Sequence, residues 1–222
     1  MSLRVSNMSK LLLLSVAFTM TMLVVRMVYS STLDYRFYGW NTFLAAIPYL
    51  ISTQVLKLRK LNGTAMLMLG VWLLFLPNAP YIITDLLHYE ERPPVPFWYD
   101  ILLVISAAWN GLILGLVSLM NVENFLLRYL RKVWVNTIVC VCLLLCGYGI
   151  FIGRFLRFNS WDMVTEPGTL MYTSAKHVLL PQRYSKLWVF TLLFAVLLGI
   201  IYYTLKVLSR HGQQEHKQKN LP

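Results

Sequence analysis

Residues 64–87, TAMLMLGVWLLFLPNAPYIITDLL, decide how this chain is to be read. Thr64 to Leu76 is an uninterrupted apolar run. As a helix it rises roughly 20 Å, about two thirds of a bilayer's hydrocarbon thickness. Pro77 and Pro80 then remove two amide donors, and each ring clashes with the preceding turn. The residue before each proline avoids helical angles. Carbonyls left without partners at membrane depth cost several kcal/mol each. Asn78 is suited to satisfying this break by capping a new short helix from about Pro80 to Tyr89, whose first turn tolerates proline. On that helix Tyr81, Asp85 and His88 follow i, i+4, i+7 spacing, with Thr84 beside them. Asp85 and His88, three apart, can touch. A proline kink that merely brings polar groups to the membrane surface gives the same pattern. Ionisable groups near membrane depth, however, tend to face a cavity or a partner.

The same apolar character extends outward in both directions. Of 222 residues, 58% are apolar and 13% charged, against about 25% charged in ordinary soluble domains. Six spans are predicted: Leu11–Tyr29, Trp40–Leu56, Thr64–Leu87, Phe97–Met120, Val133–Gly153 and Leu187–Leu208. The second is short and the third is the interrupted one. The expectation is an all-α, polytopic six-helix transmembrane bundle. Residues 1–208 form a single membrane domain, followed by a solvated cytoplasmic tail, 209–222, with no soluble domain and no internal repeat. The first span resembles a signal peptide, and "VYS" at 28–30 is a passable cleavage site. Its apolar run is longer than such segments require, so it is read as retained, with Arg26 snorkelling to the interface.

Basic residues set the orientation. With both termini on one side, that side carries 12 lysines and arginines and the other carries 7, with Arg26 inside the first span. The excess predicts cytoplasmic termini. The net charge of +11 follows from this topology and from attraction to anionic lipid heads. No basic helix or aromatic-basic sheet accompanies it, so nucleic acid is not an expected partner. Cys140, Cys142 and Cys146 all fall in the fifth span, with none in an outer loop, and read as packing residues rather than a disulfide framework.

Other polar groups gather on the outer side. Asp100 opens the fourth span, where a carboxylate is also favoured by the helix dipole. Deeper in that span, "AWNG" contains Asn110 and Gly111. Ala107, Gly111 and Gly115 repeat every four residues, a close-packing face on which Asn110 serves as interhelical glue. The fifth span exits through "GRFLRFNSWD", which supplies Arg154, Arg157, Asn159 and Asp162. Guanidinium groups match phosphate and carboxylate geometry, so these arginines either pair with nearby carboxylates or bind an anionic headgroup. His177 is read as an isolated loop histidine, "EPGT" as a turn, and the segment up to Lys186 as lacking a span.

"LPNAPYIITDLLH", "WYD" with "AWNG", and "GRFLRFNSWD" together resemble a family of uncharacterised bacterial integral membrane proteins of about this length. The likeness runs from about residue 40 to 205, with hallmark segments at 76–88, 98–100, 108–111 and 153–162. It implies a multi-pass protein of the bacterial plasma membrane and brings no activity with it.

Three functions fit these residues. The first is an enzyme with an outward-facing site. Asp85 or His88 would be its acid or base, and Asp100 and Asp162 would orient that group or hold a divalent metal. Arg154 and Arg157, with Asn159, Asn78 and Tyr81, would bind an anionic or lipid-linked substrate. No spacing matches a recognised metal motif. The second is a small-solute transporter, since broken helices are common at transport sites. The third is a non-catalytic assembly or binding factor that contacts membrane lipids or another protein. In all three, Pro77, Pro80, Asn110 and Gly111 are structural.

Overall fold

A computed structural model describes residues 2–88, 92–158 and 160–219, with the side chains of 9–86, 92–158, 160–163 and 165–209. Its described residues are all-α. In chain order the helices are α1 (Ser2–Ser30), α2 (Arg36–Lys57), α3 (Gly63–Phe75), α4 (Asn78–Tyr81), a 3₁₀ segment (Ile82–His88), α5 (Phe97–Leu126), α6 (Lys132–Phe155), α7 (Asp162–Thr165), α8 (Pro167–Leu179) and α9 (Ser185–Lys219). Seven of these are 13 residues or longer. Five stretches are long and apolar enough to cross a membrane: Ser9–Ser30, Gly63–Leu86, Phe97–Leu126, Lys132–Phe155 and Ser185–Ser209.

One feature departs from the sequence-based expectation in the C-terminal third. "EPGT" begins a helix: Glu166 stands just outside α8 and Pro167 takes its first position, where the missing amide costs nothing. The tail is helical to Lys219 as a continuation of α9.

α5 is the central helix, with 61% of its apolar window buried against 28% for the α1, α3 and α9 windows. One side of it joins α1, α2, α4 and the 3₁₀ segment through Leu103, Val104 and Ala107 packed with Leu23, Tyr38 and Ile82. The other joins α3, α6 and α9 through Leu112, Leu116 and Leu119 packed with Trp72, Val139 and Leu198. Cys142 and Cys146 lie buried in this second cluster and Cys140 is exposed; all three are free thiols.

The proline segment is a tightened helix rather than a clean break. Leu76 (φ −54°, ψ −41°), Pro77 (φ −61°, ψ −25°) and Ile82 (φ −58°, ψ −26°) all keep right-handed helical angles. Asn78 does not cap the new helix, correcting the expectation. Pro80 has no amide to offer the Leu76 carbonyl, which accepts from Ala79 N instead at 3.2 Å. That deprives the Phe75 carbonyl of its normal donor, and Asn78 Nδ2 supplies one at 3.0 Å. Ser160 Oγ donates to the Leu74 carbonyl at 3.3 Å. Asn78 thus supplies the donor that the shift of Ala79 toward Leu76 took from Phe75, and Ser160 adds one to a neighbouring carbonyl, as burial in an apolar medium favours.

Glycines let neighbouring helices close on this segment. A Cβ at Gly111 of α5 would lie 2.2 Å from the Ala79 carbonyl oxygen, and one at Gly115 would lie 2.8 Å from Ala79 Cβ. From the opposite side, a Cβ at Gly149 of α6 would meet Pro77 Cγ at 2.7 Å. Asn110 meets α1, donating to Thr19 Oγ1 at 2.7 Å and to the Ser15 carbonyl at 3.1 Å, the interhelical role expected of it.

Gly111→Ala should therefore lower the melting temperature of the purified protein in detergent, since overpacking of this kind costs roughly 1–3 kcal/mol. Gly70→Ala, where an added Cβ meets nothing within 4 Å, should leave it unchanged or raise it, alanine being the better helix former by about 1 kcal/mol. Equal effects at the two positions would contradict the close approach at Gly111.

Candidate functional site

Below the 3₁₀ segment, between α2 and α3 on one side and α6 and α8 on the other, lies a cavity of about 650 Å³. Such a volume falls within the usual range for small-molecule sites, roughly 300–1,000 Å³. One end carries polar groups: Asn78, Tyr81, Asp85, Arg92, Arg154 and Ser160. The other end is apolar, with Leu44, Leu73, Leu74 and Leu145 around Gly70.

At the polar end Arg154 Nη1 donates to Asp85 Oδ1 at 2.6 Å and contacts the Tyr81 hydroxyl at 3.5 Å. Asp85 is buried and Arg154 is 14% exposed, so the pair sits in the wall with its guanidinium edge at the cavity. Thr84 is buried and is not part of the cavity lining, its hydroxyl donating to the Tyr81 carbonyl at 2.7 Å. Gly153 of α6 lies beside the Tyr81 ring, where an added Cβ would make ordinary van der Waals contact at 3.4 Å. Asn78 Nδ2 also donates to Ser160 Oγ at 2.8 Å, tying the proline segment to the chain beyond α6. Across the mouth Arg92 stands 4.0 Å from Asp34, both well exposed, and its guanidinium lies over the Tyr35 ring at 5.7 Å.

The sequence-derived residues do not all converge. Asp85, Arg154, Tyr81 and Asn78 meet in the cavity wall. Asp100 does not join them. It is fully buried against Arg26, which donates from Nε to Oδ1 at 2.7 Å and from Nη2 to Oδ2 at 3.0 Å. Arg26 also lies over the Tyr35 ring at 3.6 Å. It does not snorkel: at 1% exposure it forms an ion pair inside the helix bundle, because only a bidentate carboxylate offsets burial of a guanidinium there. Arg157 follows the end of α6 in a left-handed conformation (φ 61°) with its side chain exposed, and so points elsewhere than Arg154. Asp162 opens α7; among the described residues the wall includes its neighbour Met163 but not Asp162 itself. The side chain of His88 and the whole of Asn159 lie outside the described residues. Among the described residues no three His, Cys, Asp or Glu side chains gather as metal ligands.

His177, discounted as a loop residue, is buried on α8 and joined to the cavity. The Tyr148 hydroxyl donates to Ser174 Oγ at 2.9 Å and lies 3.0 Å from His177 Nδ1, while Trp188 Nε1 donates to the His177 carbonyl. Tyr148 and Ser174 both line the cavity. Burial pushes the His177 imidazole below its ordinary pKa near 6.5, so it is neutral at pH 7. Tyr148 and Tyr184 pack edge-on against the ring, and Trp188 stacks on Tyr148.

Several apolar spans around one partly polar cavity define a multi-pass membrane protein. The sequence profile described as "Protein of unknown function (DUF1361)" matches residues 40–201, and the chain belongs to that family. No curated protein and no solved structure matches it.

Asp100→Ala should destabilise the protein by about 3–5 kcal/mol by leaving a buried guanidinium unpaired, whereas Arg26→Met combined with Asp100→Leu should recover most of the loss. Thermal melts of the wild type and the two variants in one detergent check this. A harmless Asp100→Ala would remove the structural role assigned to the pair.

Proposed function

We propose that this chain is a bacterial plasma-membrane protein that binds an anionic headgroup in a cavity open to the extracytoplasmic side. The carrying observation is the Arg154 guanidinium, held by Asp85 in the wall of the cavity with Arg92 at its mouth. A guanidinium has five N–H donors in a fixed fork. Asp85 and Tyr81 draw on Nη1, and the planar fork suits a phosphate or carboxylate. Asp85 acts here as the residue that orients Arg154. Asn78, Tyr81 and Ser160 supply neutral hydrogen-bonding groups nearby.

The orientation rests on charge. The excess of lysine and arginine on the side of the termini supports a cytoplasmic location for both, which turns the polar end of the cavity outward. That topology needs six spans, with α2 as the sixth. α2 is 22 residues long, enough to cross, and its polar Thr42 and Ser52 are buried in the bundle rather than turned to lipid. Non-catalytic binding requires only the groups already in the wall, whereas an acid–base reaction requires a carboxylate not committed to orienting a cation.

Native mass spectrometry of the purified full chain tests the reading, with phosphatidylglycerol as the anionic probe and phosphatidylcholine as the zwitterionic one. The wild type should retain phosphatidylglycerol preferentially. Arg154→Gln should lose that preference by about tenfold or more, as expected for a charge-assisted bond of roughly 1.5–3 kcal/mol. Asp85→Asn should keep it. Equal retention of both lipids by the wild type, or an unchanged preference in Arg154→Gln, would overturn the proposal.

A further inference from the structure

Resting on that headgroup reading, we infer that the ligand is an amphiphile whose hydrocarbon chain occupies the apolar half of the same cavity, so that the site takes lipids or lipid-linked anions rather than free small anions. Three observations carry this. The first is the polarity gradient. On α6 the wall runs from Arg154 back through Ile152, Tyr148 and Leu145, and on α3–α4 from Asn78 through Leu74 and Leu73 to Gly70. Nine residues of α6 separate Leu145 from Arg154, a rise of about 13 Å. Around Gly70 the wall is apolar through Leu44, Leu73 and Leu145; the other polar members of the lining are Asn41, Tyr148 and Ser174, and the Tyr148 hydroxyl is already committed to Ser174.

The second is Gly70. A Cβ built on it meets nothing within 4 Å, unlike Gly111, Gly115, Gly147 and Gly149, whose missing side chains admit a neighbouring helix. Gly70 faces open space that belongs to the cavity. A glycine in the interior of a helix costs about 1 kcal/mol relative to alanine, and here no packed helix accounts for it. Gly70 is exposed and lines the cavity, so a large side chain added there narrows the apolar half.

The third is charge complementarity at the correct end. Arg92 and Arg154 lie at the polar end with Asp85, where an anionic head belongs when its tail runs toward Gly70. Phe37, Trp40 and Tyr148 also line the cavity, and tryptophan and tyrosine rings suit the junction of headgroup and chain.

Gly70→Phe tests the inference in the full-length protein, because the ring enters the apolar half and leaves the polar end intact. Leu145→Trp is the second variant should the first accumulate poorly. Each is measured with dioleoyl phosphatidylglycerol and with dihexanoyl phosphatidylglycerol, which shares its head but has chains too short to reach Gly70, beside Arg154→Gln. The expected result is at least a tenfold loss of the dioleoyl lipid in the cavity-filling variants with the dihexanoyl lipid unchanged, and loss of both in Arg154→Gln. If Gly70→Phe and Leu145→Trp retain the dioleoyl lipid while Arg154→Gln loses both, the chain assignment falls and the headgroup site stands. If Arg154→Gln retains both, the headgroup reading falls and this inference falls with it.

Discussion

Two prolines in a membrane helix remove hydrogen bonds that nothing in lipid can replace, and the rest of this molecule is arranged around that deficit. Asn78 returns a donor to the Phe75 carbonyl, and Ser160 donates to the adjacent Leu74 carbonyl. Glycines on two helices then close on the repaired segment, Gly111 against the Ala79 carbonyl and Gly149 against Pro77. Clamped between α5 and α6, the chain tightens into the 3₁₀ turn that carries Asp85. Nearness to α6 brings Asp85 within 2.6 Å of Arg154. The interruption, the small-residue faces and the ion pair are therefore one construction: an added methyl at Gly111 or Gly149 would displace the backbone that aims the carboxylate.

Two buried ion pairs on the same face do different work. Arg26 and Asp100 exchange two hydrogen bonds and are both essentially fully buried, so they hold α1 to α5 and offer nothing to a ligand. Asp85 and Arg154 lie at the wall of open space, with the cation partly accessible. A shared chemistry of carboxylate and guanidinium thus divides into structure and site according to what surrounds it. α8, with His177 locked by Tyr148 and Trp188, closes the side of the cavity opposite α2.

Much of this was legible in the sequence because apolar runs and proline are local signals. The spans at residues 11–29, 97–120, 133–153 and 187–208 all lie within helices long and apolar enough to cross a membrane. Of the polar groups on the proline segment, Asp85 and Tyr81 do meet Arg154. What sequence could not show was pairing at a distance. Arg26 and Asp100 are 74 positions apart, and one chain read alone offers no means of joining them, so Asp100 was grouped with the nearer acids. His177 was passed over because its partners come from α6 and α9. The helical continuation through Pro77 was missed because a proline forbids an amide donor without forbidding helical angles, and a side-chain amide filled the gap.

The central claim is that the interrupted segment exists in a conformation that couples Asp85 to Arg154. A double-mutant cycle measures this directly: unfolding of the wild type, Asp85→Asn, Arg154→Gln and the double variant, compared in one detergent at one pH. Contact between the two side chains predicts clear non-additivity, with an interaction energy of about 0.5–3 kcal/mol and a double variant less destabilised than the sum of the singles. Effects that simply add would mean that the two residues act independently, and the arrangement of α3, α4 and α6 described above would be wrong.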